Sequence, residues 1–308
     1  MTDASSVPRR EVLHFADQAG AAARFAAAAG LPCRAIESRR FPDGETLLRV
    51  PAPLAPRTLL FCTLGDPDAR LLELMLAARA AREHGAVHLS LVAPYLCYMR
   101  QDRAFRAGEA VSQRIVGTFL AQLFDAVVTV DPHLHRIGRL EQVVPASPAV
   151  ALAAAREIGA FVARERPDAI LVGPDEESAR WVGPTAAHAG RPHAVFVKRR
   201  HGDREVDVFA DAGPSGRRPD LAGRPVVLVD DIASSGRTLA QAARVCLAMG
   251  ASGVDAVVTH ALCAGDDLAV LREAGVGRLW STDSLPHPSN AIGLSALLAE
   301  GCRAHGLA

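Results

Sequence analysis

The sequence predicts an α/β protein made of two similar domains, each a mostly parallel sheet flanked by helices. Three observations lead there. Apolar β-forming runs alternate with Ala/Leu-rich stretches along almost the whole chain, and strands separated by helices pair in parallel. A βαβ unit recurs. Leu59-Leu60-Phe61-Cys62-Thr63 leads through a loop and a helix to His84-Gly85-Ala86 and a second apolar run over 87–95. Residues 226–229 lead in the same way to Met249-Gly250-Ala251 and a run over 252–262. Finally, 308 residues suffice for two ordinary domains. The expected boundary falls near Pro145 and Pro148 and gives domains of 1–147 and 148–308.

In chain order, a helix is expected over the Ala-rich residues 17–29, a strand over 58–63, and a helix over 69–84. A strand over 88–93, a helix over 112–124 and a strand over 126–130 complete the first half. The second half begins with a helix over 149–164, where Ala dominates, and a strand over 169–172. A helix over 178–189, strands over 193–197 and 226–229, and a helix over 238–249 follow. Strands over 253–259 and 278–281 and a helix over 294–305 close the chain. Sheets of this kind place ligands at the carboxyl ends of their strands.

Composition narrows the function classes. Hydrophobic residues make up 49% and charged residues 22%, the profile of a globular protein with sizeable cores. A formal net charge of zero argues against a dedicated nucleic-acid binder. No apolar run reaches the ~18 residues of a membrane span, and Met1-Thr2-Asp3-Ala4-Ser5-Ser6 has no apolar core of a secretory signal. The six cysteines show no Cys-x-x-Cys spacing, so free thiols in a reducing cytoplasm are expected, with neither zinc nor a disulfide framework.

The most informative segment is Val226-Val227-Leu228-Val229-Asp230-Asp231-Ile232-Ala233-Ser234-Ser235-Gly236-Arg237-Thr238. A buried strand delivers two carboxylates to a short Ser/Gly loop ahead of a helix. Helix-end and loop amides supply donors for a phosphate. The carboxylates can accept hydrogen bonds from sugar hydroxyls or hold hydrated Mg²⁺. The Gly-Lys-Ser/Thr of a Walker loop is absent, so the segment reads as a cradle for a phosphorylated polyol.

Other strand ends carry further candidates. Lys198-Arg199-Arg200-His201-Gly202-Asp203-Arg204 is either a solvated hairpin or a cationic flap over polyphosphate. Arg100 and Gln101, in Tyr98-Met99-Arg100-Gln101-Asp102-Arg103, suit a nucleotide's phosphates and base edge. Phe41-Pro42-Asp43-Gly44-Glu45 is a turn that can also stack a base. His133 follows the strand over 126–130 and Asp175 the strand over 169–172, and together they suit a Mg²⁺–polyphosphate complex, although one nitrogen ligand is unusual for Mg²⁺.

Taken in order, these segments resemble the ribose-phosphate pyrophosphokinase (phosphoribosyl pyrophosphate synthetase) family, closest to its shorter, archaeal-like members. The resemblance rests on Phe41-Pro42-Asp43-Gly44-Glu45, Pro94-Tyr95 with Tyr98–Arg103, residues 106–112, Val130-Asp131-Pro132-His133, Gly173-Pro174-Asp175, Lys198-Arg199-Arg200, and Val229-Asp230-Asp231-Ile232 with Ser235-Gly236-Arg237-Thr238. It implies two phosphoribosyltransferase-type (type I) domains. It also implies transfer of the diphosphoryl group of Mg²⁺-ATP to the C1 hydroxyl of ribose 5-phosphate, with AMP leaving. Lys198 and Arg200 are then catalytic. Phe41, Asp43, Glu45, Arg100, Gln101 and Asp102 bind ATP. Asp230, Asp231, Ser234, Ser235, Gly236, Arg237 and Thr238 bind ribose 5-phosphate, and His133 and Asp175 bind Mg²⁺. A homo-oligomer of dimers or larger rings, with ATP sites shared between subunits, is implied as well.

Two departures stand out. Arg237 replaces a family Gly, and Glu176-Glu177 stand where Gly residues are usual. The Asp-Asp loop alone also fits a phosphoribosyltransferase consuming phosphoribosyl diphosphate, and a catalytically divergent regulatory homologue would keep the same fold. Lys198–Arg200 with Phe41, Arg100 and Gln101 favour the synthetase, since a transferase needs no ATP site.

Overall fold

The computed structural model describes residues 8–146, 148–201, 204–212 and 220–308, with the backbone alone for 198–212. The chain forms two compact units, Met1–Leu152 with Leu294–Ala308, and Ala153–Gly293.

The first unit contains β1 (Arg10–Phe15), α1 (Ala19–Ala29), β2 (Cys33–Arg40), β3 (Thr46–Arg49), β4 (Arg57–Phe61) and α2 (Pro67–Glu83). It continues with β5 (His88–Ala93), α3 (Ser112–Leu123), β6 (Ala126–Val130) and β7 (Ala149–Leu152). The second contains α4 (Ala155–Glu165), β8 (Ile170–Gly173), α5 (Ala179–Ala189), β9 (His193–His201), β10 (Arg204–Ala212) and β11 (Pro225–Ala233). There follow α6 (Arg237–Ala248), β12 (Gly253–Ala261), α7 (Asp266–Glu273), β13 (Val276–Thr282) and β14 (Asn290–Ile292). The last helix, α8 (Ser295–Ala304), returns to the first unit.

Each unit holds a seven-stranded sheet, ordered β3-β2-β1-β4-β5-β6-β7 in the first and β10-β9-β8-β11-β12-β13-β14 in the second. Every strand of the second order is the first order advanced by seven, so the βαβ repeat read from the sequence extends to the whole topology. All pairings are parallel except the edge hairpins β2–β3 and β9–β10. The central strands are near-continuous apolar runs because helices cover both sheet faces. In β11, Val226 and Leu228 join a cluster with Ile170, Leu239, Ala243 and Leu271. Val227 and Val229, equally buried, point to the opposite face. Phe25 of α1 stacks on Phe61 of β4, with ring centroids 5.6 Å apart.

Three expectations need correction. The helix expected over 149–164 is divided, because Ala149–Leu152 form β7 and pair with Val127–Val130. Ala favours helix, but an open sheet edge offers those residues a ladder, and tertiary pairing overrides propensity. The expected domain boundary moves accordingly, since β7 completes the first sheet. α8 packs on α1 rather than ending the second unit. Strands β1, β2, β3, β7, β10 and β14, together with α7, were not expected. Among the described residues, no helix is long and apolar enough to cross a membrane.

Candidate active site

In the second unit, β11 runs two residues past the Asp pair and ends at Ala233. Asp230 lies opposite Val258 in the ladder to β12, and the side chains of Asp230 and Asp231 are buried, at 8% and 2% exposure. The Asp231 amide donates to Asp230 Oδ1 at 3.0 Å. Burial pushes the Asp230 carboxyl well above the usual carboxylate range, and the carboxylates of Asp231 and Asp175 push it further. Three acids gathered in a low-dielectric strand end make a site short of positive charge.

Asp175 reaches this place because β8 is the neighbour of β11. Its Oδ1 accepts the amides of Glu177 and Ser178, both at 3.1 Å. The Ser178 hydroxyl accepts the Asp175 amide at 3.3 Å, closing a capping box at the short 3-10 turn Glu176–Ser178. A Cβ on Gly173 would stand 2.2 Å from Ser178 Oγ, so glycine is what allows β8 to run into this turn. Glu176 and Glu177 are exposed. Extra carboxylates beside a diphosphate would be electrostatically unfavourable unless they faced solvent, and the exposure of these two residues meets that condition.

After Ala233 the loop turns through Ser234 and Ser235 to Gly236, whose φ of 67° places it in the left-handed region as N-cap of α6. That conformation is open to glycine and strained for other residues. The α6 N-terminus has no side-chain cap and no acidic residue in its first turn. Arg237, the first helical residue, is exposed beside Thr238. A cation at a helix start is unfavourable by itself and favourable once an anion binds there.

Lys198 and Arg200 stand on β9, opposite Val208 and Glu205 of β10; their side chains lie outside the described residues. The described backbone of this segment is an antiparallel ladder, which is common to a solvated hairpin and to a flap. The tip residues 202 and 203 also lie outside the described residues.

In the first unit the corresponding edge hairpin is β2–β3, and its turn is Phe41-Pro42-Asp43-Gly44-Glu45. The Phe41 amide donates to Glu45 O at 2.8 Å, the Gly44 amide to Phe41 O at 2.9 Å, and the Glu45 amide to Asp43 Oδ1 at 3.1 Å. Gly44 has φ 93°. Phe41 is 37% exposed, with the Arg39 guanidinium 5.0 Å from its ring centroid. An aromatic ring on a hairpin tip, presented over a cation, suits stacking on a base.

The segment after β5 is anchored at several points. Tyr98 has φ 60°, a conformation rare for a bulky residue, and its hydroxyl donates to Asp68 in the first turn of α2. The Gln113 side chain donates to Met99 O at 2.9 Å, and the Ser112 hydroxyl to Gln101 Oε1 at 3.2 Å. Arg100 is left exposed between these anchors. Asp102 points inward instead and accepts from Arg136. His133 follows β6, and its ring stacks with that of His135 at 6.4 Å between centroids. His133 belongs to the first unit and Asp175 to the second. Among the described residues, no group of three or more His, Cys, Asp or Glu stands ready to hold a metal.

Asp68, Arg136 and Ser178 support the site without having been singled out in the sequence. Only Ser178 carried a local signal there, as the third residue after an N-cap Asp.

A shared strand order, with an acidic strand end, a Ser/Gly loop and an uncapped helix start in one copy, defines a two-domain protein of the phosphoribosyltransferase type. Residues 11–123 match the N-terminal domain of ribose phosphate pyrophosphokinase, and residues 144–280 match the phosphoribosyl transferase domain. A ribose-phosphate pyrophosphokinase of Methanopyrus kandleri is 34% identical over 268 residues, covering 86% of this chain and 89% of its own. One of Saccharolobus solfataricus is 32% identical, covering 83% and 86%. The phosphoribosylpyrophosphate synthetase of Mycobacterium smegmatis shares the fold, with a TM-score of 0.80 at 23% identity, over 96% of this chain and 98% of that one. The chain belongs to the ribose-phosphate pyrophosphokinase family.

Proposed function

We propose that this chain transfers the diphosphoryl group of Mg²⁺-ATP to the C1 hydroxyl of ribose 5-phosphate, in the cytoplasm and as a homo-oligomer. The observation that carries the reading is the buried Asp230–Asp231 pair ahead of a helix start that has no cap and no acid. The sugar's 5-phosphate sits on the amides and hydroxyls of residues 234–238. The ribose hydroxyls donate to Asp230 and Asp231, which fixes the C1 hydroxyl for attack. Phe41, Asp43 and Glu45 take the adenine, while Arg100 and Gln101 take the nucleotide's phosphates.

The attacking oxygen approaches the β-phosphorus as the bond to the α-phosphate oxygen breaks. Negative charge grows on that bridging oxygen, and Lys198 and Arg200 neutralise it, so catalysis is positioning plus electrostatics. A divalent cation fits the residues present. Asp175 uses Oδ1 for both amides, which leaves Oδ2 for an ion, and the raised Asp230 carboxyl marks a place where added positive charge stabilises. His133 is the other residue to which the resemblance assigns Mg²⁺. Mg²⁺, when bound, supplies charge compensation for the diphosphate.

The assay is AMP formation by the purified protein with Mg²⁺, ATP and ribose 5-phosphate. AMP appears in step with phosphoribosyl diphosphate if the reading is right, and its absence with every divalent metal sinks it. Lys198→Ala lowers kcat far more than it weakens ribose 5-phosphate binding; equal losses in both remove Lys198 from the catalytic role.

A further inference from the structure

We infer that Asp102 is a positioning residue that clasps the nucleotide-binding loop after β5 to the His133 loop after β6, through Arg136 and His135, rather than a contact to ATP. The inference rests on the function proposed above and revises the role that resemblance assigns to Asp102. Its side chain is only 4% exposed, while Arg100, two residues earlier, is exposed. The Arg136 guanidinium places Nη1 2.8 Å from both carboxylate oxygens, and His135 Nδ1 lies 3.7 Å from Oδ2. A bare carboxylate beside polyphosphate would repel it. One buried against an Arg is neutralised and serves as an anchor.

The His135 ring that faces Asp102 also lies against the His133 ring, at 24° between planes. Asp102, His135 and His133 therefore form one contiguous run from the nucleotide loop to the proposed metal ligand. That ligand's loop starts at Asp131, a buried non-glycine residue with φ 37°. Such a backbone persists only where its surroundings over-determine it. The Asp131 amide is held by Leu152 O at 2.8 Å on one side, and the Arg136–Asp102 pair holds the loop five residues later. The tyrosine at φ 60° and its bond to Asp68 restrain the other loop at its start, and Asp102 restrains it at its end. Arg100, Gln101 and His133 are thus positioned by a shared support.

The test is a double-mutant cycle on the full-length protein with Asp102→Asn, Arg136→Gln and the pair together, reading kcat and the KM for Mg²⁺-ATP and for ribose 5-phosphate. Each single change is expected to raise the KM for Mg²⁺-ATP about tenfold. The pair should be no worse than either single change, because both break one interaction. The KM for ribose 5-phosphate should stay within about twofold, and Arg136→Lys, which keeps the charge, should recover part of the loss. A rise with Asp102→Asn but none with Arg136→Gln means direct nucleotide contact and overturns the clasp, as does a wild-type KM in both. If the wild-type protein forms no AMP, the proposed function fails instead. Hydrogen exchange then decides the clasp alone: either substitution must speed exchange in both 98–103 and 131–137, and a change confined to the mutated loop refutes it.

Discussion

Gly236→Ala tests how the proposed phosphate-binding loop is built. With φ at 67°, an alanine there adopts the left-handed region at a cost of roughly 1–2 kcal/mol. Its Cβ would stand 3.0 Å from Leu271 Cγ, 3.2 Å from Leu271 Cδ2 and 3.4 Å from Asp267 O. Leu271 is buried in the second unit's main core cluster, so it cannot swing away without opening space elsewhere. Overpacking of this kind adds roughly 1–3 kcal/mol. Part of it relaxes, and the expected loss is about 2–4 kcal/mol. Urea unfolding of the second unit reads that loss from the midpoint and slope. Gly253→Ala is the matched control: no atom lies within 4 Å of its Cβ and its φ is ordinary, so it should stay within about 0.5 kcal/mol of wild type. Steady-state kinetics should show a raised KM for ribose 5-phosphate and an unchanged KM for ATP. A Gly236→Ala protein as stable as the control, with wild-type kinetics, would falsify the account of this loop.

The acid cluster and the helix start give two further expectations, each trading stability against function. Asp230→Asn keeps the acceptor for the Asp231 amide and replaces a buried carboxyl that resists ionisation with a neutral amide, so it should raise stability by about 1–3 kcal/mol while abolishing turnover; a less stable variant refutes the electrostatic account. The sign with pH follows from the raised Asp230 carboxyl. The folded chain keeps a proton that the unfolded chain releases near ~3.9. Wild-type stability therefore falls as pH rises from there through the folded value, and Asp230→Asn flattens this slope. Arg237→Ala should stabilise the unliganded protein by about 0.3–1 kcal/mol, by relieving a cation at a helix N-terminus, and should raise the KM for ribose 5-phosphate. An unchanged KM shows that Arg237 is not a phosphate ligand.

What could be read from residues alone depended on how local the physics was. Strands β5 and β6 match the expected bounds because they are short, mostly apolar β-forming runs between helices. β1 was hidden by polar residues inside it. Glu11 is fully buried, and its carboxylate is satisfied by Arg34 of β2 at 2.6 Å and by the Ala55 amide at 2.5 Å. His14 bonds the Phe15 carbonyl. Those partners make a charged strand stable in a core, and none is visible in the strand's own pattern. β2 and β3 were missed for a related reason. β2, Cys33-Arg34-Ala35-Ile36-Glu37-Ser38-Arg39-Arg40, pairs with β1 only through residues 33–36 and with the edge strand β3 only through residues 37–40, so most of it is exposed and carries charge.

By itself, the sequence determined the α/β class, the repeat, and the acidic strand end before the Ser/Gly loop. Each of these is written in contiguous residues whose periodicity or turn chemistry decides locally. Tertiary structure alone decided that Ala149–Leu152 complete a sheet and that α8 belongs to the first unit. It also decided that Asp102 turns inward to Arg136, 34 residues away, and that Asp175 adds to the charge around Asp230. The physical reason is common to all four: each depends on desolvating or pairing groups that only folding brings together, so no local pattern records it.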